Sequence, residues 1–285
     1  MRAVAIGGGH GTAVSLRALR RLTTEVTGVV SVADDGGSTG RLRAMLNVAA
    51  VGDLRKCLGA LADPDNPLTR SFEHRFTLGE LAGHAVGNLL LVGLVDATGD
   101  LEESVLALAQ VMGVTGSIIP ASTEGVVLCA TTEEGDTRGQ SAIAGSATIR
   151  RIRIDPSNAA APIRAVEAIE RADVVVVGPG SLYTSVLAAA VVPGIAQAIA
   201  GSRARVVYVA NLHPQLPETS EYRLQDHVDA LIRHGVVPDV VLVDRDGPYR
   251  DDPSTLTTLV APLSRANGLV HDVQHLSDAI SAALG

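Results

Sequence analysis

The stretch that most limits what this chain can fold into is Met-Arg-Ala-Val-Ala-Ile-Gly-Gly-Gly-His-Gly, residues 1–11. Apolar residues from Ala3 to Ile6 form a run short enough for one buried strand, and the run breaks at Gly7, Gly8, Gly9 and Gly11. From Thr12 to Leu22, Ala13, Leu16, Leu19 and Leu22 recur at helical spacing. The pattern predicts a strand, a glycine loop and a helix in succession. Glycine lets main-chain N–H groups approach a ligand closely, and a helix start adds unpaired N–H groups with partial positive charge. Such a loop suits a phosphate. The same residues could also make a plain strand-to-helix turn. Their position favours the ligand, because in an open α/β sheet the loop after the first strand commonly holds one.

Composition agrees with a sheet of this type. The chain has 285 residues, 46% hydrophobic and 19% charged, which is enough for a sizeable core. Aromatics are 2%, with no Trp, so Val, Ala, Leu and Ile must fill that core. Small and β-branched residues fit a parallel sheet covered by helices. A net charge of −8 argues against broad nucleic-acid or anionic-membrane binding, since phosphate polymers attract basic surfaces. Cys57 and Cys129 form neither a metal spacing nor a disulfide framework and read as small buried hydrophobes. The longest apolar stretch, Val186 to Ala200, contains Pro193 and Gln197 and is shorter than the roughly 20 residues that span a bilayer. With no leader pattern before the first strand, the expectation is a cytoplasmic protein without a membrane span.

Further loops carry polar groups. Glu25 to Ala33 reads as a second strand that ends in Asp34-Asp35-Gly36-Gly37-Ser38-Thr39-Gly40-Arg41. Asp34 stands near the place where a dinucleotide fold holds a ribose hydroxyl with an acid. A second glycine-rich turn and Arg41 beside it suggest a second polar clamp; the alternative is an Asp-Gly turn with Ser38 capping the next helix. Asp53 in Gly52-Asp53-Leu54-Arg55 serves equally as a helix cap or a ligand group. Gly83-His84 and Gly87-Asn88 are predicted on one helix, with His84 and Asn88 one turn apart. Asp173 to Val177 is an apolar strand followed by Gly178-Pro179-Gly180-Ser181-Leu182-Tyr183-Thr184-Ser185, which repeats the logic of the first loop. Arg205 to Ala210 is another strand, ending at Asn211. Residues 116–155 read as short extended pieces, including Ala142–Ile143, in an antiparallel insertion that caps the site.

Loops 7–11, 34–41, 178–185 and 211–218 each follow a predicted strand. In a parallel sheet such loops share one edge, so they are expected to converge on one crevice. The sequence therefore predicts a single α/β domain over residues 1–285. It is Rossmann-like, with a mainly parallel sheet, helices on both faces and the small antiparallel insertion. Its ligand is expected to be a small phosphorylated or nucleotide-like molecule.

These motifs, with Asp226-His227-Val228, run in order from residue 4 to about 228 and resemble the YvcK gluconeogenesis-factor family, which is related in fold to the CofD 2-phospho-lactate transferases. The resemblance implies a Rossmann-like core and a cytoplasmic regulator of carbon metabolism, cell-wall synthesis and cell shape that binds UDP-N-acetylglucosamine. The matching motifs put the ligand-binding candidates at Gly8, Gly9, His10, Gly11, Asp34, Asp35, Gly37, Ser38, Arg41, Asn88, Gly178, Gly180, Ser181, Tyr183, Thr184 and Asn211. The chain departs from the family at His10, where Thr is usual, and at Leu187, Ala188 and Ala189, where Asn and Pro are common.

Two classes of function follow. One is a regulator that binds a UDP-sugar and does no chemistry. The other is a CofD-type transferase that passes a phospho-group from a nucleotide-activated donor to a small acceptor, with Asp34 and Asp35 holding Mg²⁺ and Arg41 steadying phosphate charge. No separate base for the acceptor stands out, which favours the regulator. NAD(P) is disfavoured because the first loop departs from Gly-x-Gly-x-x-Gly. A homo-oligomer and a regulatory protein partner are both compatible with the sequence.

Overall fold

Short apolar segments, most buried on both faces, lie side by side in one direction and set the frame of the molecule. The computed structural model describes residues 1–46 and 48–285. Its strands in chain order are β1 (Arg2–Gly7), β2 (Glu25–Val30), β3 (Ser117–Pro120), β4 (Val127–Thr132), β5 (Gly135–Arg138), β6 (Ile149–Asp155), β7 (Val174–Val177), β8 (Arg205–Val209), β9 (Val240–Asp244) and β10 (Thr257–Ala261). Seven of them form one sheet in the order β10-β9-β8-β7-β1-β2-β3, and every pairing is parallel. The central β7 is four consecutive valines, all fully buried, as a strand covered on both faces requires. The remaining three form an antiparallel sheet, β5-β4-β6.

The strand order reverses direction between β1 and β7. From β1 the chain builds outward through β2 and β3; from β7 it builds the other way through β8, β9 and β10. Right-handed crossovers in opposite directions place their helices on opposite faces of the sheet. Thus α1 (Gly9–Arg20), between β1 and β2, covers one face and packs against α3 (Gly52–Leu61) and the C-terminal helix Val273–Leu284. Helix Pro193–Gly201, between β7 and β8, covers the other and packs against Ile163–Glu170. Helix α2 (Gly37–Leu46) follows β2.

Some boundaries differ from the sequence reading. Ser117–Pro120 pairs in parallel with β2, so the insertion begins only after it. Ala142–Ile143 lies in helix Gln140–Ala144, not in a strand. A pair of apolar residues carries too little periodicity to separate the two. His84 precedes helix Val86–Thr98 instead of lying on it. Among the described residues no single helix is long and apolar enough to cross a membrane; the apolar helices Leu182–Ala190 and Pro193–Gly201 are bent 78° to one another.

At the reversal, the loops after β1 and β7 touch. A Cβ added at Gly11 would run into the Pro179 carbonyl, so only glycine permits this approach. Ser15 Oγ donates to the Gly178 carbonyl at 2.6 Å and ties α1 to the same loop. Gly93, on helix Val86–Thr98, has open space where a Cβ would go. We therefore expect Gly11→Ala to destabilise the fold by about 1–3 kcal/mol through overpacking. Gly93→Ala should be neutral or stabilise by about 0.5–1 kcal/mol through helix propensity. Urea denaturation of the two variants checks this; equal stabilities would contradict the close approach of the loops.

Candidate functional site

The crevice at the carboxyl edge has two neighbouring chambers. The first, about 400 Å³, is lined by Gly8 to Gly11, Asp34, Asp53, Lys56, Gln140 and the residues Gly180, Ser181, Thr184 and Ser185. The second, about 360 Å³, lies between the β7 and β8 loops and the turn before His271. His10, Gly11, Gly180 and Gln215 line both, so the two are neighbours. Another cleft of about 400 Å³ opens at the amino ends of β1, β2 and β3, lined by Arg2, Thr24, Glu25 and Arg164. It contains none of the glycine loops.

The first chamber is polar. Gly8 is the N-cap of α1, no side chain caps that helix, and its first turn holds no acidic residue. The N-terminal N–H groups and their partial positive charge are therefore left to a ligand. A Cβ at Gly8 would strike the Asp53 carboxylate, so the loop backbone runs directly against that side chain. Asp53 is buried and accepts from Lys56 Nζ at 3.1 Å. Asp34 accepts from the Gly36 N–H at 2.9 Å. Burial holds the Asp34 carboxyl above the ordinary carboxylate range, and Asp53 pushes the same way against the Gly36 hydrogen bond. His10 is held below the ordinary imidazole range by partial burial and then by the Lys56 ammonium. Among the described residues the hydroxyls of Ser181 and Ser185 have no protein partner, which leaves them for an anionic oxygen.

Buried groups hold the β7 loop in shape. Asn211 accepts from the Gly180 N–H and donates Nδ2 to the Gly180 carbonyl, both at 2.9 Å. Glu218, 3% exposed, accepts from the Tyr183 N–H at 2.8 Å and from Thr184 Oγ1 at 2.9 Å. It thus satisfies the start of the helical segment Leu182–Leu187. Gln140 of the insertion donates to the Thr184 carbonyl at 2.6 Å and closes one side of the chamber.

The structure brings Gly8, Gly9, His10, Gly11, Asp34, Gly180, Ser181 and Thr184 to the first chamber and Asn211 to the second. Gly178 sits behind them, its carbonyl taken by Ser15. Other candidates lie elsewhere. Asp35 accepts from the Ser141 N–H at 2.8 Å and anchors the insertion, because neighbouring residues on an extended segment point in opposite directions. The carboxylates that line the chamber are Asp34 and Asp53, and Asp35, the other carboxylate that the sequence offered to Mg²⁺, is engaged by the insertion. Arg41 donates to the Ala82 carbonyl at 2.8 Å and does not reach the chamber. Gly37 is exposed at the start of α2.

Ser38 and Asn88 belong to a buried network. Ser38 Oγ lies 2.9 Å from His84 Nδ1, and Asn88 accepts from Arg55 Nε at 2.9 Å, with Arg55 ion-paired to Glu73. Tyr183 is fully buried and shares a hydrogen bond with Tyr222 at 2.7 Å. His227 is also core: burial pushes it down to about 4, and it stands between the Tyr208 and Tyr249 hydroxyls. Lys56, Gln140 and His271 are not among the sequence candidates, whereas Gln215 and Glu218 lie in the loop 211–218 that the sequence places at the crevice. Asp53 and Lys56, three apart on α3, were the readable signal; the others arrive from distant segments.

A family model described as 2-phospho-L-lactate transferase CofD matches residues 3–276. The gluconeogenesis factor of Halalkalibacterium halodurans is 42% identical over 84% of this chain and 76% of its own length. That of Bacillus subtilis is 38% identical over 85% of this chain and 78% of its own. A crystal structure of a UPF0052 family protein from Bacillus halodurans superposes with a TM-score of 0.91 at 36% identity, covering 98% of both chains.

The Glu218 clamp makes stability depend on pH. Burial raises the Glu218 carboxyl above the ordinary glutamate range despite the hydrogen bonds it accepts. The native state therefore keeps this proton to higher pH than the unfolded chain, and the stabilisation is lost as pH rises through the native-state pKa. Glu218→Gln should flatten that part of the decline, measured as urea-unfolding stability against pH from the ordinary glutamate range upward. Parallel profiles for the two proteins would contradict a Glu218 carboxyl raised by burial.

Proposed function

The chain belongs to the CofD family, in its gluconeogenesis-factor branch, and we propose on that footing that it is a cytoplasmic regulator of carbon metabolism, cell-wall synthesis and cell shape that works by binding UDP-N-acetylglucosamine. The observation that carries this reading is the two-chamber crevice. Its first chamber offers an uncapped helix N-terminus, Lys56 and free hydroxyls to a diphosphate. Its second chamber, reached past His10 and Gly11, has room for the nucleoside. Lys56 takes the role that the sequence suggested for Arg41, since it stands beside Gly9 in the same chamber.

The transferase reading rests on a different observation, the pair Asp34 and Asp53 beside the glycine loop. Two carboxylates together with substrate phosphates are an ordinary Mg²⁺ environment, so these residues fit that ion. Bound there, Mg²⁺ would supply charge neutralisation on the phosphate oxygens. Within the described residues no cluster of three metal-ligating side chains forms a dedicated cage, and the imidazole that the transferase reading would use as acceptor base is His10. The regulator is the better-supported reading.

UDP-N-acetylglucosamine at 100 times its dissociation constant should raise the melting temperature by about 5 °C, from about 2.7 kcal/mol of linkage. NAD should give little shift. Lys56→Ala should weaken binding by roughly 10–150-fold, the loss of one charge-assisted contact, whereas Arg41→Ala should leave affinity within about twofold. Calorimetric titration of both variants checks the assignment. After long incubation with Mg²⁺, chromatography should return the nucleotide sugar intact. A Mg²⁺-dependent product that Asp53→Asn abolishes would overturn the regulator in favour of the transferase.

A further inference from the structure

Strand β6 is an edge of the antiparallel insertion sheet, and one histidine fastens that edge to the core. His234 follows helix Leu224–Arg233 and is buried. Its Nε2 accepts from the Ile152 N–H at 3.0 Å, and its Nδ1 lies 2.7 Å from the Ala230 carbonyl. The two partners settle the tautomer between them. A backbone N–H can only donate and a carbonyl can only accept, so Nε2 carries the lone pair and Nδ1 the hydrogen. The bonded ring is therefore neutral, with both nitrogens in use.

The surroundings offer a second proton no compensation. Burial first, and then the Arg151 and Arg233 guanidiniums, hold the imidazole below its ordinary range against the Ala230 hydrogen bond. Arg153 lines the cavity beside the ring and is paired with Asp136. From the β7 loop Tyr183 sets its ring edge-on to the imidazole at 6.0 Å, and Val191 and Ala196 across the cavity are apolar. That cavity, about 260 Å³, is bordered by His234 and by Arg151 to Ile154, so β6 has space beside it.

A proton on Nε2 would set two N–H groups against each other and leave the Ile152 donor buried and unpaired. Two further ties reach the same strand. Arg233 Nη1 donates to the Arg150 carbonyl at 3.0 Å, and the Tyr183 hydroxyl donates to the Ile149 carbonyl at 3.1 Å. Guanidiniums and phenols keep their protons at neutral and mildly acid pH, so of these three ties only His234 answers to a proton. At its far end the insertion meets the site through Gln140 on the Thr184 carbonyl and Ser141 on Asp35.

We propose that His234 is a proton-released latch, which ties the insertion to the core when neutral and, when protonated at Nε2, frees β6 and the side of the first chamber that Gln140 closes. This latch goes beyond the ligand reading and does not rest on it. The folded state favours the neutral ring. The latch is therefore shut above the ordinary imidazole range of about 6.5 and opens as pH falls below it.

An NMR titration of the full chain from about pH 7.5 to about pH 5 tests this, following the His234 ring and hydrogen exchange at the Ile152 and Ser141 amides. Protection at Ile152, corrected for the intrinsic exchange rate, should fall roughly 5–150-fold with the midpoint of the ring. Ser141 should lose protection with the same midpoint. In His234→Gln the amide can accept from Ile152 and donate to Ala230 without titrating, so protection should stay within about threefold. The wild-type series needs no variant and decides the matter even if His234→Gln folds poorly. A ring that gains its proton while Ile152 stays protected overturns the latch, as does a loss of protection that His234→Gln shares. A ring still neutral where the whole fold is lost overturns it as well. Opening at Ile152 with Ser141 unchanged overturns the link to the chamber.

Discussion

The molecule depends on the close contact between two backbone loops where the sheet changes direction. With β1 and β7 adjacent and the chain leaving them toward opposite edges, their following loops have no helix between them. A crevice at the carboxyl edge is the geometric consequence. Gly11 against the Pro179 carbonyl sets the depth of the crevice, and Ser15 on the Gly178 carbonyl holds that depth. The uncapped start of α1 then faces into it, so its partial positive charge is aimed at whatever binds.

Around this contact, similar polar residues do two kinds of work. Groups that are buried and paired build the walls: Asn211 on Gly180, Glu218 on Tyr183 and Thr184, and Asp35 on Ser141. Groups left partly free face the cavity, namely Lys56, Ser181, Ser185 and the carboxylate of Asp34. The insertion completes the first chamber through Gln140 and is anchored by Asp35 on the opposite side of the same loop. Asp34 and Asp35 therefore divide the two tasks between them.

The fold was legible because strand, glycine loop and helix recur with clear changes of period, and because long apolar runs such as Val174–Val177 admit a central parallel strand. The loops that meet were legible for the same reason: loops after parallel strands share an edge. What the sequence could not reveal was side-chain direction. Arg41 and Ser38 lie in the loop after β2, and Asn88 on helix Val86–Thr98, but they turn toward Ala82, His84 and Arg55. Tyr183 sits within the most specific motif and yet points into the core. Conversely, Gln215 and His271 come from segments 56 residues apart with no shared pattern, and only the folded chain brings them to one wall.

The central claim is that one nucleoside diphosphate spans both chambers, with its phosphates on the glycine loop. A crystal structure of the chain with UDP-N-acetylglucosamine tests it most directly. The account predicts the diphosphate over the backbone N–H groups of Gly8 to Gly11 with Lys56 beside it, and the nucleoside in the second chamber. Density for the ligand in the cleft lined by Arg2, Thr24 and Glu25, or a diphosphate held away from the glycine loop, would contradict it.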